Sequence, residues 1–158
     1  MLITYDLFAN EIMIKFEDTI TYLLTPVSNS YWVNLEKSMN EIKLHSGQVF
    51  ILISLWKKDG QSQIELSKNL NLSTPTINKM VKNLKESGYV RIQRGKKDGR
   101  IVRVFLTEKG NERQSLVEEQ WLKLENRTFL NFTETEKLIL FQLFEKLMKN
   151  LTGTAAAA

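Results

Sequence analysis

Residues 61–106 read QSQIELSKNLNLSTPTINKMVKNLKESGYVRIQRGKKDGRIVRVFL, and the period of their apolar side chains decides the fold. Ile64, Leu66 and Leu70 mark one short helical pattern. Ile77, Met80, Val81 and Leu84, at i, i+3, i+4 and i+7, mark a second. Asn71-Leu72 leaves only a tight connection between them. Ser73 offers an oxygen to cap the second helix, and Pro75 falls in its first turn, where a missing N–H costs nothing. Ser87-Gly88 ends that helix, with Gly88 free to take the left-handed position after the cap. The period then drops from 3.6 to 2. Tyr89–Arg94 and Ile101–Leu106 are strand-like runs, with Val102, Val104 and Leu106 alternating with other residues. Between them Gly95-Lys96-Lys97-Asp98-Gly99 makes a glycine-bearing turn crowded with charge.

Helix, short turn, helix and β-hairpin form the order of a winged helix-turn-helix, and the second helix has the surface chemistry to meet duplex DNA. A helix fits the major groove, where base edges present distinguishable donors, acceptors and methyl groups. With its apolar stripe inward and Ser73 at its cap, this helix presents Thr74, Thr76, Asn78, Lys79, Lys82, Asn83 and Lys85. Hydroxyls, amides and lysines meet bases and phosphates, and the N-terminal end usually makes the base contacts. Only Glu86 opposes the charge, from the far end. At the hairpin tip Arg94, Lys96, Lys97 and Arg100 form a basic cluster suited to a narrow, electronegative minor groove. Asp98 is too short and too acidic to serve phosphate, and is expected to brace an arginine or the N–H groups of the turn. The same surface would also suit a winged helix that binds protein without DNA.

The flanks read as helices. Phe8, Ile12, Phe16, Ile20 and Leu23 predict an amphipathic helix over Tyr5–Leu24, interrupted by the breaker residues Thr25 to Ser30. A second helix is expected over Tyr31–Ile42. A third runs from His45 or Ser46 to Lys57, apolar enough to be buried on most sides, and closes at Asp59-Gly60. Downstream, a long helix runs from Thr107 to about Leu130. Thr133 and Glu136 then form a capping box for a helix carrying Leu140, Leu143, Phe144, Leu147 and Leu151.

Composition narrows the function. The 158 residues carry a formal net charge of +4. From Lys57 to Lys109, however, basic residues outnumber acidic ones 13 to 5, while the rest of the chain holds 9 basic and 13 acidic side chains. The charge is therefore concentrated on the winged motif. There is no cysteine and one histidine, His45, which excludes disulfides, thiol sensing and a Cys/His zinc cluster. No cofactor or metal is expected. No nucleophile–base set, phosphate loop or paired carboxylates point to an enzyme. Val49–Trp56, the most apolar stretch, is far short of the ~20 residues that span a bilayer. Met1 to Glu11 lacks the basic start of a secretory signal, so a cytoplasmic protein without membrane contact is expected.

Several stretches resemble the MarR family of bacterial regulators, and the resemblance covers nearly the whole chain. Leu44-His45-Ser46-Gly47-Gln48 resembles the family's opening of the helix before the DNA-binding motif. Gln63-Ile64-Glu65-Leu66-Ser67 followed by Leu72-Ser73-Thr74-Pro75-Thr76 is similar to its helix-turn-helix. Leu84-Lys85-Glu86-Ser87-Gly88-Tyr89-Val90 resembles its exit into the wing. Asp98-Gly99-Arg100 and Val104-Phe105-Leu106-Thr107-Glu108-Lys109-Gly110 resemble the wing's D-x-R and the strand-to-helix junction.

The resemblance implies a mainly α fold with a small β-hairpin wing. In it, 1–43 and 107–151 form a helical dimerisation region, 44–106 the winged DNA-binding domain, and 152–158 a tail without a packing pattern. It implies a homodimer on a pseudo-palindromic double-stranded operator, more often a repressor, with Arg100 in the minor groove and Asp98 supporting it. Many such regulators respond to a small anionic or aromatic effector between the dimer helices and the DNA-binding lobe. Tyr31, Trp32, His45 and Trp56 are the candidates here, though residues of these types are more often ordinary core or interface. The chain departs from the pattern at Ile92, where many members carry an arginine. Arg91 and Arg94 fall on opposite strand faces, so the bracing of the wing stays open.

Overall fold

The structure, a computed structural model, describes residues 15–94 and 102–153. The expectations placed on Phe8 and Ile12, on Lys96, Lys97, Asp98 and Arg100, and on the terminal alanines lie outside the described residues. Six α-helices appear among those described: α1 Ile20–Asn40, α2 Ser46–Lys57, α3 Gln63–Leu70, α4 Thr74–Glu86, α5 Glu108–Thr128 and α6 Glu134–Leu151. Strands β1 Gln61–Ser62, β2 Val90–Arg94 and β3 Val102–Leu106 form an antiparallel sheet in the order β1-β3-β2. The fold is mainly α with a small β wing. The chain divides into two compact units, Met1–Leu124 and Glu125–Ala158.

The core of the first unit forms where the apolar stripes of four helices meet the inner face of the sheet. Leu35 and Met39 of α1, Val49, Leu52 and Leu55 of α2, Leu66 of α3, Ile77, Val81 and Leu84 of α4, and Val104 of β3 are all fully buried. Each such side chain contributes roughly 1.5–3 kcal/mol relative to its exposed state.

The helix ends are set locally. At α3, the Ser62 hydroxyl accepts the Glu65 N–H at 3.2 Å while the Glu65 carboxylate accepts the Ser62 N–H at 2.6 Å. At α4, the Ser73 hydroxyl accepts the Thr76 N–H at 3.3 Å. Gly88 ends that helix at φ +75°, as its sequence position predicts. Its N–H donates to Lys85 and the Tyr89 N–H reaches back to Leu84, both at 2.9 Å, which is the Schellman closure.

Three expectations are corrected. The break at Thr25 to Ser30 does not occur, because α1 runs through it with Pro26 in its interior. Pro26 lacks the N–H that would donate to the Tyr22 carbonyl. That stretch is exposed, however, and α1 is anchored by Leu35, Ser38 and Met39 in its second half. Nor does the helix expected over Tyr5–Leu24 extend through its middle. Phe16–Asp18 is a 3-10 turn and Thr19 is extended, its hydroxyl capping α1 through the Tyr22 N–H at 3.2 Å. Finally, Ile64 does not share the buried stripe of α3: it is 62% exposed in the first turn, and Leu66 and Leu70 face the core instead.

The second unit is built around α6. Phe129 and Phe132 pack edge to face, with ring centroids 5.5 Å apart. The predicted capping box is present: Thr133 Oγ1 accepts the Glu136 N–H at 3.2 Å and the Glu136 carboxylate accepts the Thr133 N–H at 2.8 Å. No residue of α6 is buried. Among the described residues, no helix is long and apolar enough to cross a membrane.

Candidate nucleic-acid interface

The apolar stripe of α4 turns Ile77, Val81 and Leu84 fully inward and so commits the opposite side to solvent. Thr74, Asn78, Lys79, Lys82 and Lys85 are exposed, while Thr76 and Asn83 are half-buried at the edges of that face. Ser73 and Thr76 spend part of their hydrogen-bonding capacity on each other, with hydroxyl oxygens 2.8 Å apart. Thr74 and Asn78, one turn apart, therefore stand as the polar side chains at the N-terminal end of the helix. Glu86 lies 3.8 Å from the Lys82 ammonium, so the acid read as remote from the cationic face screens one of its lysines.

The hairpin carries its charge on both sides. Ile92 pairs in register with Val104 and Val90 with Leu106 on the core face, and Ile92 packs against the core. Arg91 lies on the outer face, its guanidinium 4.8 Å from the centroid of Phe105. The two arginines thus fall on opposite faces, and exposed Arg94 closes β2 opposite Val102. Strand β1, which two residues are too few to reveal by period, lies across β3 and makes the wing three-stranded.

A dense joint fixes the end of α4 to α5. The Thr107 hydroxyl donates to the Gly88 carbonyl at 2.7 Å and accepts the Gly110 N–H at 3.0 Å. Lys109 and Arg113 both lie over the buried Tyr89 ring, at 4.8 and 5.2 Å from its centroid. Behind α3, Gln61 is 2% exposed yet fully bonded. Its amide donates to the carbonyls of Ser54 and Lys58 at 2.7 Å, and its oxygen accepts from Asn69 at 2.7 Å. No sequence signal marks Gln61, because its partners come from two different helices.

The four residues considered for an effector do not converge. Tyr31, Trp32, Phe50 and Trp121 form a file of edge-on and tilted rings 5.6–5.9 Å apart. Trp56 donates its indole N–H to the Gly110 carbonyl at 3.3 Å. His45 is at the other end of α2, roughly 16 Å away by helical rise, with its ring nitrogen 2.8 Å from Glu36. Burial pushes the Glu36 carboxyl upward, but hydrogen bonds from Ser46 and His45, with the charge of His45, outweigh it and hold the group at about 2. Two clefts of about 400 and 550 Å³ share Ile53, Lys57 and Trp121. Trp56 lines the smaller; Phe50 and Lys58 line the larger. Neither is lined by Tyr31, Trp32 or His45. Among the described residues, no cluster of His, Asp or Glu is arranged to hold a metal.

Comparison with known proteins agrees with this architecture. Residues 34–117 match the family model described as transcriptional regulator SarA/Rot. The chain is 31% identical to the HTH-type transcriptional repressor IacR of Pseudomonas putida, over 85% of this chain and 81% of that one. Among solved structures it is similar to a MarR protein from Peptoclostridium difficile, at 28% identity and a TM-score of 0.81, covering 91% and 95% of the two chains. It is also similar to reduced AbfR bound to DNA, at 26% identity and a TM-score of 0.72, covering 87% and 95%.

Proposed function

Because the chain belongs to the SarA/Rot family of transcriptional regulators, within the MarR-like winged-helix group, we propose that it is a cytoplasmic homodimeric repressor that binds a pseudo-palindromic duplex operator. Its family comprises transcriptional regulators, not enzymes. The observation that carries the reading is the exposed face of α4, where Thr74, Asn78, Lys79, Lys82 and Lys85 meet solvent together. In this reading α4 enters the major groove, Asn78 and Thr74 contact base edges, and the lysines contact phosphate. Ser73, Thr76 and Asn83 lie at the margins of that contact, and Arg94, Lys96, Lys97 and Arg100 serve the minor groove, with Asp98 as support. Residues 44–106 then act as the DNA-binding domain, with the outer helices of 1–43 and 107–151 joining two copies.

The effector reading moves with the geometry. The paired clefts set apolar and aromatic walls, Ile53, Trp56 and Trp121, beside Lys57, which suits a small anionic aromatic molecule. In this reading Phe50 and Trp121 join Trp56, while Tyr31, Trp32 and His45 do not line these two clefts.

An anisotropy titration against the intergenic DNA beside the gene, repeated from 50 to 200 mM salt, tests the central claim. Affinity should fall by orders of magnitude across that range, since each neutralised phosphate releases counterions. Asn78→Ala should cost about 1–3 kcal/mol and relax specificity at one base pair per half-site. Binding indifferent to salt, or capture of a protein partner by the same face without DNA, would sink the reading.

A further inference from the structure

Arg103 occupies the centre of the sheet. It pairs in register with Ser62 of β1 on one side and with Gln93 of β2 on the other, so one residue faces both the N-cap of α3 and the wing hairpin. Its guanidinium reaches over β1, donating to the Gly60 carbonyl at 2.8 Å and lying 3.4 Å from a Glu65 carboxylate oxygen. That carboxylate is itself immobilised by the Ser62 N–H. Two residues along the same face, Phe105 packs so closely on Gly60 that a side chain there would strike its ring, with Arg91 stacked over it. Asp59 completes the line by accepting the Leu106 N–H at 2.9 Å. Strand β3 is thus tied at three points to the segment that enters α3, two of them through Arg103 and Phe105 on the face opposite Ile92.

We infer that Arg103 is the positioning residue of the wing: it sets the pitch of the β2–β3 hairpin against the helix-turn-helix. The inference rests on the DNA-binding reading above. The energetics favour orientation over stability. Arg103 and Glu65 side chains are each about 40% exposed, and ion pairs of that exposure contribute little to folding. A guanidinium whose Nη1 is held between a carbonyl and a carboxylate nevertheless keeps a fixed direction, because its plane is rigid.

The test uses the full chain and the duplex recovered by in vitro selection on the wild type. Arg103→Met and Glu65→Gln are each measured for affinity by anisotropy and for thermal midpoint by circular dichroism. Glu65→Gln keeps the capping geometry, since glutamine serves at that position. It removes a negative charge, which simple electrostatics predicts will tighten DNA binding. The positioning role predicts the opposite sign: both variants weaken binding by roughly tenfold, a loss of about 1.4 kcal/mol, with the midpoint held within a few degrees. The Arg103→Met loss should shrink to under about twofold in an Arg94→Ala background, because sites acting through one element are not additive. Tighter binding by Glu65→Gln overturns the inference. So do fully multiplicative losses with Arg94→Ala, or a salt slope lowered by about one in Arg103→Met, which marks a direct phosphate contact. Wild-type affinity reports separately on the DNA-binding reading.

Discussion

At Gly110, in the first turn of α5, an added Cβ would collide with the backbone carbonyl oxygen of Tyr89, which also accepts the Thr107 N–H. That oxygen belongs to the joint between α4 and α5 and has no room to retreat. Gly110→Ala should therefore destabilise by about 1–3 kcal/mol, read as a lower midpoint in denaturant at unchanged slope. Glu36 makes a second residue-scale prediction. Its carboxyl is held at about 2 against an ordinary value of 4.5. The stability it contributes is complete above pH 4.5 and is lost as pH falls toward 2. Glu36→Gln should flatten the acid limb of stability in that window when thermal midpoints are measured against pH. Glu65 and Glu136, also held low chiefly by backbone N–H bonds at their caps, should leave a residual slope. The cap of Thr133 and Glu136 was legible in the chain because its two residues lie three positions apart. Gly110 and Glu36 were not, since the groups that constrain them come from other elements.

Among the elements, α4 was readable almost to its ends. Ser73, Pro75, the Ile77–Leu84 stripe and Gly88 all point to the same helix, and local preference and burial agree. The hairpin was readable for the same reason, while β1 was too short to show a period. Helix α1 shows the opposite case, since its breaker residues suggest two helices where one forms. Tertiary anchoring of Leu35 and Met39 outweighs the local cost of Pro26. Replacing Pro26 with alanine restores the N–H to the ladder and relieves the ring clash, though it frees the unfolded chain. A net gain of about 2 kcal/mol is expected in urea unfolding at fixed protein concentration. An unchanged or lower stability would mean that the proline is accommodated by a bend the protein needs.

At the scale of the whole molecule, the exposed apolar surface among the described residues fits the proposed homodimer. Phe16, Ile20, Leu23 and Val27 on the N-terminal side, and Leu138, Phe141, Leu143 and Met148 on α6, are each about half exposed or more, far beyond the scattered apolar residues of a monomer. A second copy of this chain is the expected partner. Light scattering at micromolar concentration should report twice the 18.4 kDa of one chain, and Phe141→Glu should shift it toward the monomer. The sequence alone determined the helix-turn-helix, its hairpin, the concentration of basic residues in that segment and the absence of cysteine. Those depend on residue type and on contacts within a few positions, which periodicity and capping record directly. Only the tertiary structure decided that α1 is continuous, that a third strand completes the wing, that Arg103 ties it to α3, and that Phe50 and Trp121 belong with Trp56 around the clefts. Each of these rests on groups far apart in the chain, whose meeting is set by the packing of the core and leaves no local pattern to read.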